Sequence, residues 1–219
     1  MTRLAVFDLD GTLVDSAPDL HAALDRLMAA RGLPGFARGE VIGMIGDGAR
    51  VLVERALAAR GRPYDDAALD AFLADYTAHA AVETRPFPGI LAALDALRGA
   101  GWQLAVCTNK PEAAARRLLG ALGLLDRFTA VGGGDSFPAR KPDPAHLRAT
   151  VEAAGGTLRA AAMVGDHHND IAAARGAGVP CLFVGWGYGT LAMADGAPVV
   201  PRPADLPGEL GALLDRLRP

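Results

Sequence analysis

Short apolar runs recur along this chain at residues 3–7, 103–107, 160–164 and 179–184, with a weaker one at 128–131, and segments of helical character separate them. Four or five apolar residues in succession, without polar alternation, are the pattern of a strand buried on both faces. Such strands alternating with helices predict an α/β fold, a Rossmann-like parallel sheet covered on both sides. The helix punctuation agrees. Pro88-Gly89 precedes a segment carrying Leu91, Leu94 and Leu97 that closes at Gly99, Pro111-Glu112 opens another, and Pro144 a third. In sheets of this kind ligands bind beyond the carboxyl ends of the strands. The chemistry is therefore expected in the residues that follow each run.

Residues 16–83 break the alternation. Ser16 is placed as a helix N-cap, with Pro18 in the first turn and Asp19 three residues on, and Leu20, Leu24, Leu27 and Met28 follow at helical spacing until Gly32. Val51, Leu52 and Leu57 mark a second helix, and Leu69, Phe72, Leu73 and Tyr76 a third. No strand is expected in this region. The organisation predicted is a core of residues 1–15 and 84–219 with a helical cap, residues 16–83, inserted after the first strand.

Composition excludes some functions. A net charge of −3 gives no basis for binding nucleic acid or an anionic membrane. No apolar stretch approaches a membrane span, and the apolar start is too short for a signal peptide. Cys107 and Cys181 lie in apolar runs without CxxC spacing and read as small core residues rather than a disulfide. The expectation is a cytoplasmic protein, monomer or homodimer.

Four polar segments follow four of the apolar runs: Asp8-Leu-Asp10, Thr108-Asn109, Lys141, and Asp166 through Asp170. Two carboxylates at the end of a buried strand repel each other and are costly to bury unless paired or metal-bound. A small cluster of carboxylate oxygens suits Mg²⁺, which offsets that repulsion. A lysine, a threonine hydroxyl and backbone N–H groups suit a phosphate.

In these segments the chain resembles the haloacid dehalogenase superfamily in its phosphatase branch. Asp8-Leu-Asp-Gly-Thr12 matches the DxDGT signature, Thr108-Asn109 the second motif, Lys141 the third, and Asp166 with Asp170 the fourth. The resemblance implies that Asp8 is the nucleophile, becoming an aspartyl-phosphate. Asp10 would protonate the leaving oxygen and then activate water. Asp8, the Asp10 backbone carbonyl and Asp166 would hold Mg²⁺, with Asp170 supporting them. Thr108 and Asn109 would hold phosphoryl oxygens, and Lys141 would neutralise charge. Gly11 would allow a sharp turn, and Thr12 would be structural. Dehalogenases of the superfamily lack the carboxylate at the Asp10 position, so the substrate implied is a small phosphate ester.

Within that branch FDLDGTLVDSAPDL, Ile45-Gly-Asp-Gly48, TNKP and GGGDSFPARKPDP resemble the phosphoglycolate phosphatases, which implies 2-phosphoglycolate as substrate. Phosphatases of sugar phosphates or nucleotides, and phosphomutases, share much of the pattern. A phospho-aspartate signalling domain lacks both the insertion and DxDGT. The superfamily's phosphonate hydrolases use a cap lysine, and residues 16–83 contain none.

Several residues carry a bland and a sharp reading. Gly46-Asp47-Gly48 is read as a loop over the site. Arg50 beside it is a solvated helix arginine or a partner for a substrate carboxylate. His167 stands where the family pattern has a small residue, often serine, and His168 follows it. Adjacent side chains on a turn are expected to diverge, which places His167 at the site wall and His168 at a helix start rather than on a transition metal. Gly185-Trp-Gly-Tyr-Gly189 reads either as a mobile loop near the site or as a segment whose Trp186 and Tyr188 simply pack on the surface. Lys110, Arg116, Arg117, His21 and His79 read as solvated surface groups.

Overall fold

The computed structural model describes residues 2–79 and 81–216. In chain order the elements are β1 (Leu4–Phe7), β2 (Val14–Asp15), α1 (Ala17–Ala30), α2 (Arg38–Ile42), α3 (Ala49–Ala59), α4 (Asp66–Ala78), β3 (Arg85–Pro86), α5 (Ile90–Gly99), β4 (Gln103–Cys107), α6 (Glu112–Ala121), β5 (Ala130–Gly132), α7 (Pro144–Ala153), β6 (Ala161–Gly165), α8 (His168–Ala177), β7 (Cys181–Val184), β8 (Val199–Val200) and α9 (Leu206–Asp215). The sheet runs β5-β4-β1-β6-β7-β8, and each pairing between neighbours is parallel.

The sheet's side chains divide with a period of two. Ala5, Phe7, Leu104, Val106, Ala162, Val164, Leu182 and Val184 pack with Leu94 of α5, Leu118 of α6 and Leu210 of α9. Leu4, Val6, Ala105, Cys107 and Met163 face the other way, against Leu147 and Val151 of α7 and Ala173, Ala174 and Ala177 of α8. Burial on both faces is why these strands read as unbroken apolar runs. Both cysteines are free, Cys107 buried and Cys181 partly so.

Helices α1 to α4 hold a separate apolar cluster built on Leu24, Met28, Val53, Leu57, Phe72 and Tyr76. The chain enters this helical segment through β2 and leaves through β3, which pair antiparallel, Val14 opposite Pro86 and Asp15 opposite Arg85. No helix among the described residues is long and apolar enough to cross a membrane.

The structure shifts some expected boundaries. The weak run at 128–131 pairs as Ala130–Gly132, and the last predicted strand starts at Cys181 because Val179 instead closes α8 with a bond to Ala174. Four elements carry too little pattern to be read from sequence: the two-residue β2, β3 and β8, and the five-residue α2. Helix α9 was not expected either. Ser16 occupies the N-cap of α1 but does not cap it with its hydroxyl. Asp19 is no capping-box partner. Its carboxylate accepts from the Glu83 and Thr84 backbone N–H groups and the Thr84 hydroxyl, at 2.7–2.9 Å. It thereby fixes the start of the helical segment to its end. Burial opposes the Asp19 charge, but these bonds outweigh it and hold its pKa below the ordinary value.

Candidate active site

The carboxyl ends of β1, β4 and β6, the loop between β5 and α7, and the start of α8 bring Asp8, Thr108, Asp166, Lys141 and Asp170 together in the buried interior. Lys141 Nζ lies 2.9 Å from Asp8 Oδ1 and 2.6 Å from Asp170 Oδ1. Burial works against the lysine's charge, and Asp170 and Asp8 overcome it, so its pKa stands above the usual lysine value. The Asp170 carboxylate also accepts from the His167 backbone N–H at 3.0 Å. His146, which sequence reasoning missed, accepts the Lys141 backbone N–H on Nδ1 at 3.1 Å and so positions that loop.

Asp8, Asp166 and Asp170 present carboxylate oxygens within 4.8 Å of one another. Burial pushes the Asp8 pKa up to about 6 despite Lys141, and burial with repulsion from Asp8 and Asp170 pushes Asp166 up to about 7. The buried Asp8 Oδ1 has Lys141 Nζ, 2.9 Å away, as its charged neighbour, and that ammonium is shared with Asp170. Three buried carboxylates that share one lysine fit a hard divalent cation, which would offset the remaining repulsion. Lys141 lies nearer to Asp170, at 2.6 Å, than to Asp8, at 2.9 Å.

Asp166 is shaped by its neighbours. Thr12 Oγ1 donates to its Oδ1 at 2.8 Å, and the Tyr188 and Gly189 backbone N–H groups donate to Oδ2 at 2.8 and 3.3 Å. A Cβ on Gly11, where φ is +82°, would lie 2.3 Å from Asp166 Oδ2, so this turn needs glycine for both its backbone conformation and its clearance. The residue 185–189 segment is not the loose loop its glycines suggest. A Cβ on Gly187 would sit 2.3 Å from Asp166 Cβ, and one on Gly189 1.8 Å from the Asp166 carbonyl oxygen. These glycines serve close approach. Trp186 Nε1 donates to the Thr12 carbonyl, and the Tyr188 hydroxyl donates to Asp15 and accepts from Ala17 N–H. Tyr188 is thus tied to the crossing into the helical segment rather than packed on the surface.

Asp10 is not one of the clustered carboxylates and is held by other partners. The Ser16 hydroxyl donates to its Oδ1 at 2.5 Å, and Lys110 Nζ lies 3.0 Å from both oxygens. Lys110 is not the solvated charge expected: it is buried, and its Nζ sits 4.5 Å from the Tyr76 ring centroid. Burial opposes its charge, and Asp10 overcomes this and raises its pKa. The signal that could have found it is compositional. The chain has two lysines, Lys110 and Lys141, against twenty arginines, and both lysines are buried here.

Asp8 and Asp10 both line a crevice walled by Thr108, Asn109 and Lys110 and roofed by Leu20, Ile45, Leu52, Phe72 and Tyr76. The Tyr76 hydroxyl is buried there without a hydrogen-bond partner. Asn109 is beside the site, but its side-chain amide donates to the Gly46 and Lys141 carbonyls at 3.1 and 2.9 Å. Residues 46–48 do lie over the site: Asn169 also donates to Gly46 and to Asp47, and Asp47 pairs with Arg55 at 2.6 Å. Arg50 is exposed and stacks 4.6 Å from the Tyr64 ring centroid, so it does not line the crevice.

His167 caps α8 at the site wall, as expected, and His168 is the first helical residue. Their rings do not diverge: the centroids are 4.1 Å apart. Burial and the neighbouring His168 lower the His167 pKa to about 4. His21 is partly buried, with Nε2 2.6 Å from the Phe36 carbonyl, whereas His79, Arg116 and Arg117 are exposed as expected.

Comparison with known proteins agrees with this geometry. The family model of the haloacid dehalogenase-like hydrolases matches residues 2–178. A phosphoglycolate phosphatase of Agrobacterium fabrum is 46% identical over 204 residues, covering 91% of this chain and 88% of that protein. A phosphoglycolate phosphatase of Cereibacter sphaeroides is 48% identical, covering 84% and 85%. The crystal structure of a predicted phosphoglycolate phosphatase from Haemophilus somnus superposes with a TM-score of 0.86 at 31% identity, covering 94% of this chain and 96% of that one. A parallel sheet with its carboxylates at the strand ends, the match across residues 2–178 and these relatives together establish that the chain belongs to the haloacid dehalogenase-like hydrolases and is a phosphoric monoester hydrolase.

Proposed function

We propose that the chain hydrolyses 2-phosphoglycolate to glycolate and phosphate through an aspartyl-phosphate on Asp8. The observation that carries this reading is the crevice. Asp8 and Asp10 face it together, Lys110 is the one cation among its described lining residues, and most of the rest is apolar. A short ester bearing a second anionic group matches such a space. Lys110 and the unpartnered Tyr76 hydroxyl would receive its carboxylate. The naming of the relatives supports the same substrate.

Asp8 attacks phosphorus, and the leaving alkoxide takes a proton from Asp10. Asp10 then takes a proton from the water that attacks the aspartyl-phosphate, which frees Asp8 and releases phosphate. Ser16 and Lys110 hold the Asp10 side chain for both transfers. Thr108 and backbone N–H groups orient the phosphoryl oxygens, and with its amide engaged elsewhere Asn109 acts chiefly by placing residue 46 and the Lys141 loop. Lys141 steadies the charge on Asp8 and the transferring group. Mg²⁺, held by Asp8, the Asp10 backbone carbonyl and Asp166 with support from Asp170, would supply further charge neutralisation. Residues 16–83 act as a cap that selects substrate and excludes water.

Phosphate release from 2-phosphoglycolate, sugar phosphates, nucleotides and an aryl phosphate, with Mg²⁺ or a chelator, tests this. Strong preference for 2-phosphoglycolate, abolished by Asp8→Asn and by chelation, is the expected result. Preference for another ester would discard the substrate and keep the mechanism. Release that persists in Asp8→Asn would overturn the mechanism.

A further inference from the structure

Beside the catalytic carboxylates stands a second group of donors with different chemistry. Asp47, His167 and His168 each offer a ligand atom, and the three atoms lie within 4.8 Å of one another. Asp47 comes from the loop between α2 and α3, and the two histidines from the start of α8. The group therefore spans the helical segment and the core. The two imidazole rings lie side by side, and a Cβ on Gly46 would fall 2.7 Å from His167 Cδ2 and Nε2, so this loop rests directly against the ring. His168 is exposed, which leaves a route for an ion from solvent.

Two imidazoles and one carboxylate are a poor match for Mg²⁺, which wants oxygen, and a good one for Zn²⁺, Co²⁺, Ni²⁺ or Cu²⁺. Three protein ligands leave a position for water. We propose that Asp47, His167 and His168 form a transition-metal site that, when loaded, locks residues 46–48 onto the core and arrests turnover. The mechanism above assigns His167 and His168 no chemical step; His167 Nδ1 accepts the Asn169 backbone N–H as the cap of α8, at 3.4 Å, which leaves Nε2 as its ligand atom. Gly46 and Gly48 line the crevice opposite Asp8, Asp10 and Asn109, so a metal bound to Asp47 and both histidines would tie one wall of the crevice to the other. Asp47 is already oriented by Asn169, at 2.7 Å, and balanced by Arg55, at 2.6 Å. Arg55 competes with any cation for the Asp47 carboxylate, so it sets how weak the site is.

The test is Zn²⁺ titration by calorimetry, and Co²⁺ titration by visible absorption, on the whole protein with millimolar Mg²⁺ present to fill the carboxylate site. One Zn²⁺ should bind, with affinity at least tenfold lower in His168→Ala and severalfold higher in Arg55→Ala. Co²⁺ should give the visible bands of a nitrogen-ligated ion, lost in His168→Ala. Opposite responses to two variants outside the catalytic set separate this site from Zn²⁺ held by Asp8 and Asp166, which neither change would move. Phosphate release with Mg²⁺ should fall on Zn²⁺ addition and be relieved in His168→Ala. Zn²⁺ affinity indifferent to His168→Ala, or Zn²⁺ displaced one for one by Mg²⁺, would overturn the proposal. The binding measurements do not depend on which ester is the substrate.

Discussion

Lys110 Nζ lies 3.0 Å from each carboxylate oxygen of Asp10, and the two side chains are 4% and 15% exposed. Breaking a pair this withdrawn from water leaves a buried charge without its counterion, a cost of about 3–5 kcal/mol. Lys110→Met should lose stability on that scale in urea unfolding. The double variant Lys110→Met/Asp10→Asn should recover much of it, because neither charge then remains alone. The double variant should nevertheless fall at least ~100-fold in kcat, since it lacks the acid–base group. A double variant no more stable than Lys110→Met would show that the lysine acts by packing on Tyr76 instead.

Asp8 and Asp166 have pKa values raised to about 6 and about 7 without a cation. A carboxyl group whose folded pKa is raised contributes stability that is present below its ordinary value and is lost as pH rises through the folded one. Without divalent cation these two groups therefore weaken the fold between about pH 4 and pH 7. Mg²⁺ must displace their protons, so its stabilising effect should be larger at pH 8 than at pH 5. Thermal melts with Mg²⁺ and with chelator at both values measure this, and Asp166→Asn should flatten the difference.

Asp19 joins the first turn of α1 to Glu83 and Thr84 through three hydrogen bonds. Asp19→Ala should cost about 1–3 kcal/mol by leaving those donors unmet. The Asp19 pKa is depressed, so its contribution is present above the ordinary carboxylate value and fades as pH falls through the folded one. The gap in stability between wild type and variant should narrow accordingly in acid. A gap constant with pH would mean that the variant acts through packing.

Gly187→Ala places a methyl group 2.3 Å from Asp166 Cβ, where only movement of the Asp166 backbone gives room. We expect at least ~10-fold weaker Mg²⁺ binding by calorimetry, with circular dichroism close to wild type. Gly208→Ala is the control, because nothing stands within 4 Å of its added Cβ.

The central sheet was legible because β1, β4, β6 and β7 are buried on both faces and so spell themselves as apolar runs. Asp8 and Asp166 stood out for a related reason, a carboxylate just past such a run being costly to bury, whereas Thr108, Lys141 and Asp170 stood out by their match to the family's motifs. Lys110 was hidden because its meaning lies in Asp10, a hundred positions away, and a lysine before proline looks like any surface lysine. Asp19 was misread because a carboxylate in a first helical turn already has a sufficient local explanation. The loop at 185–189 was misjudged because glycine serves mobility and close contact equally, and sequence does not separate them. The side-by-side histidines escaped because ring direction depends on the cap geometry of α8.

The pairing of β2 with β3 has a consequence for how this chain tolerates change. Asp15 and Arg85 are cross-strand neighbours, so everything between them leaves and re-enters the sheet domain at one point. Closing such an excursion costs entropy that grows only with the logarithm of its length, about 0.6 kcal/mol for each doubling. The segment can therefore lengthen, shorten or be exchanged whole without disturbing the register of β1, β4 and β6. The reacting groups that stand on the sheet are insulated from that variation, while Asp47, Tyr76 and the residues roofing the crevice are exposed to it. On the function proposed above, the architecture separates the part of the sequence that keeps a reaction from the part that chooses what undergoes it.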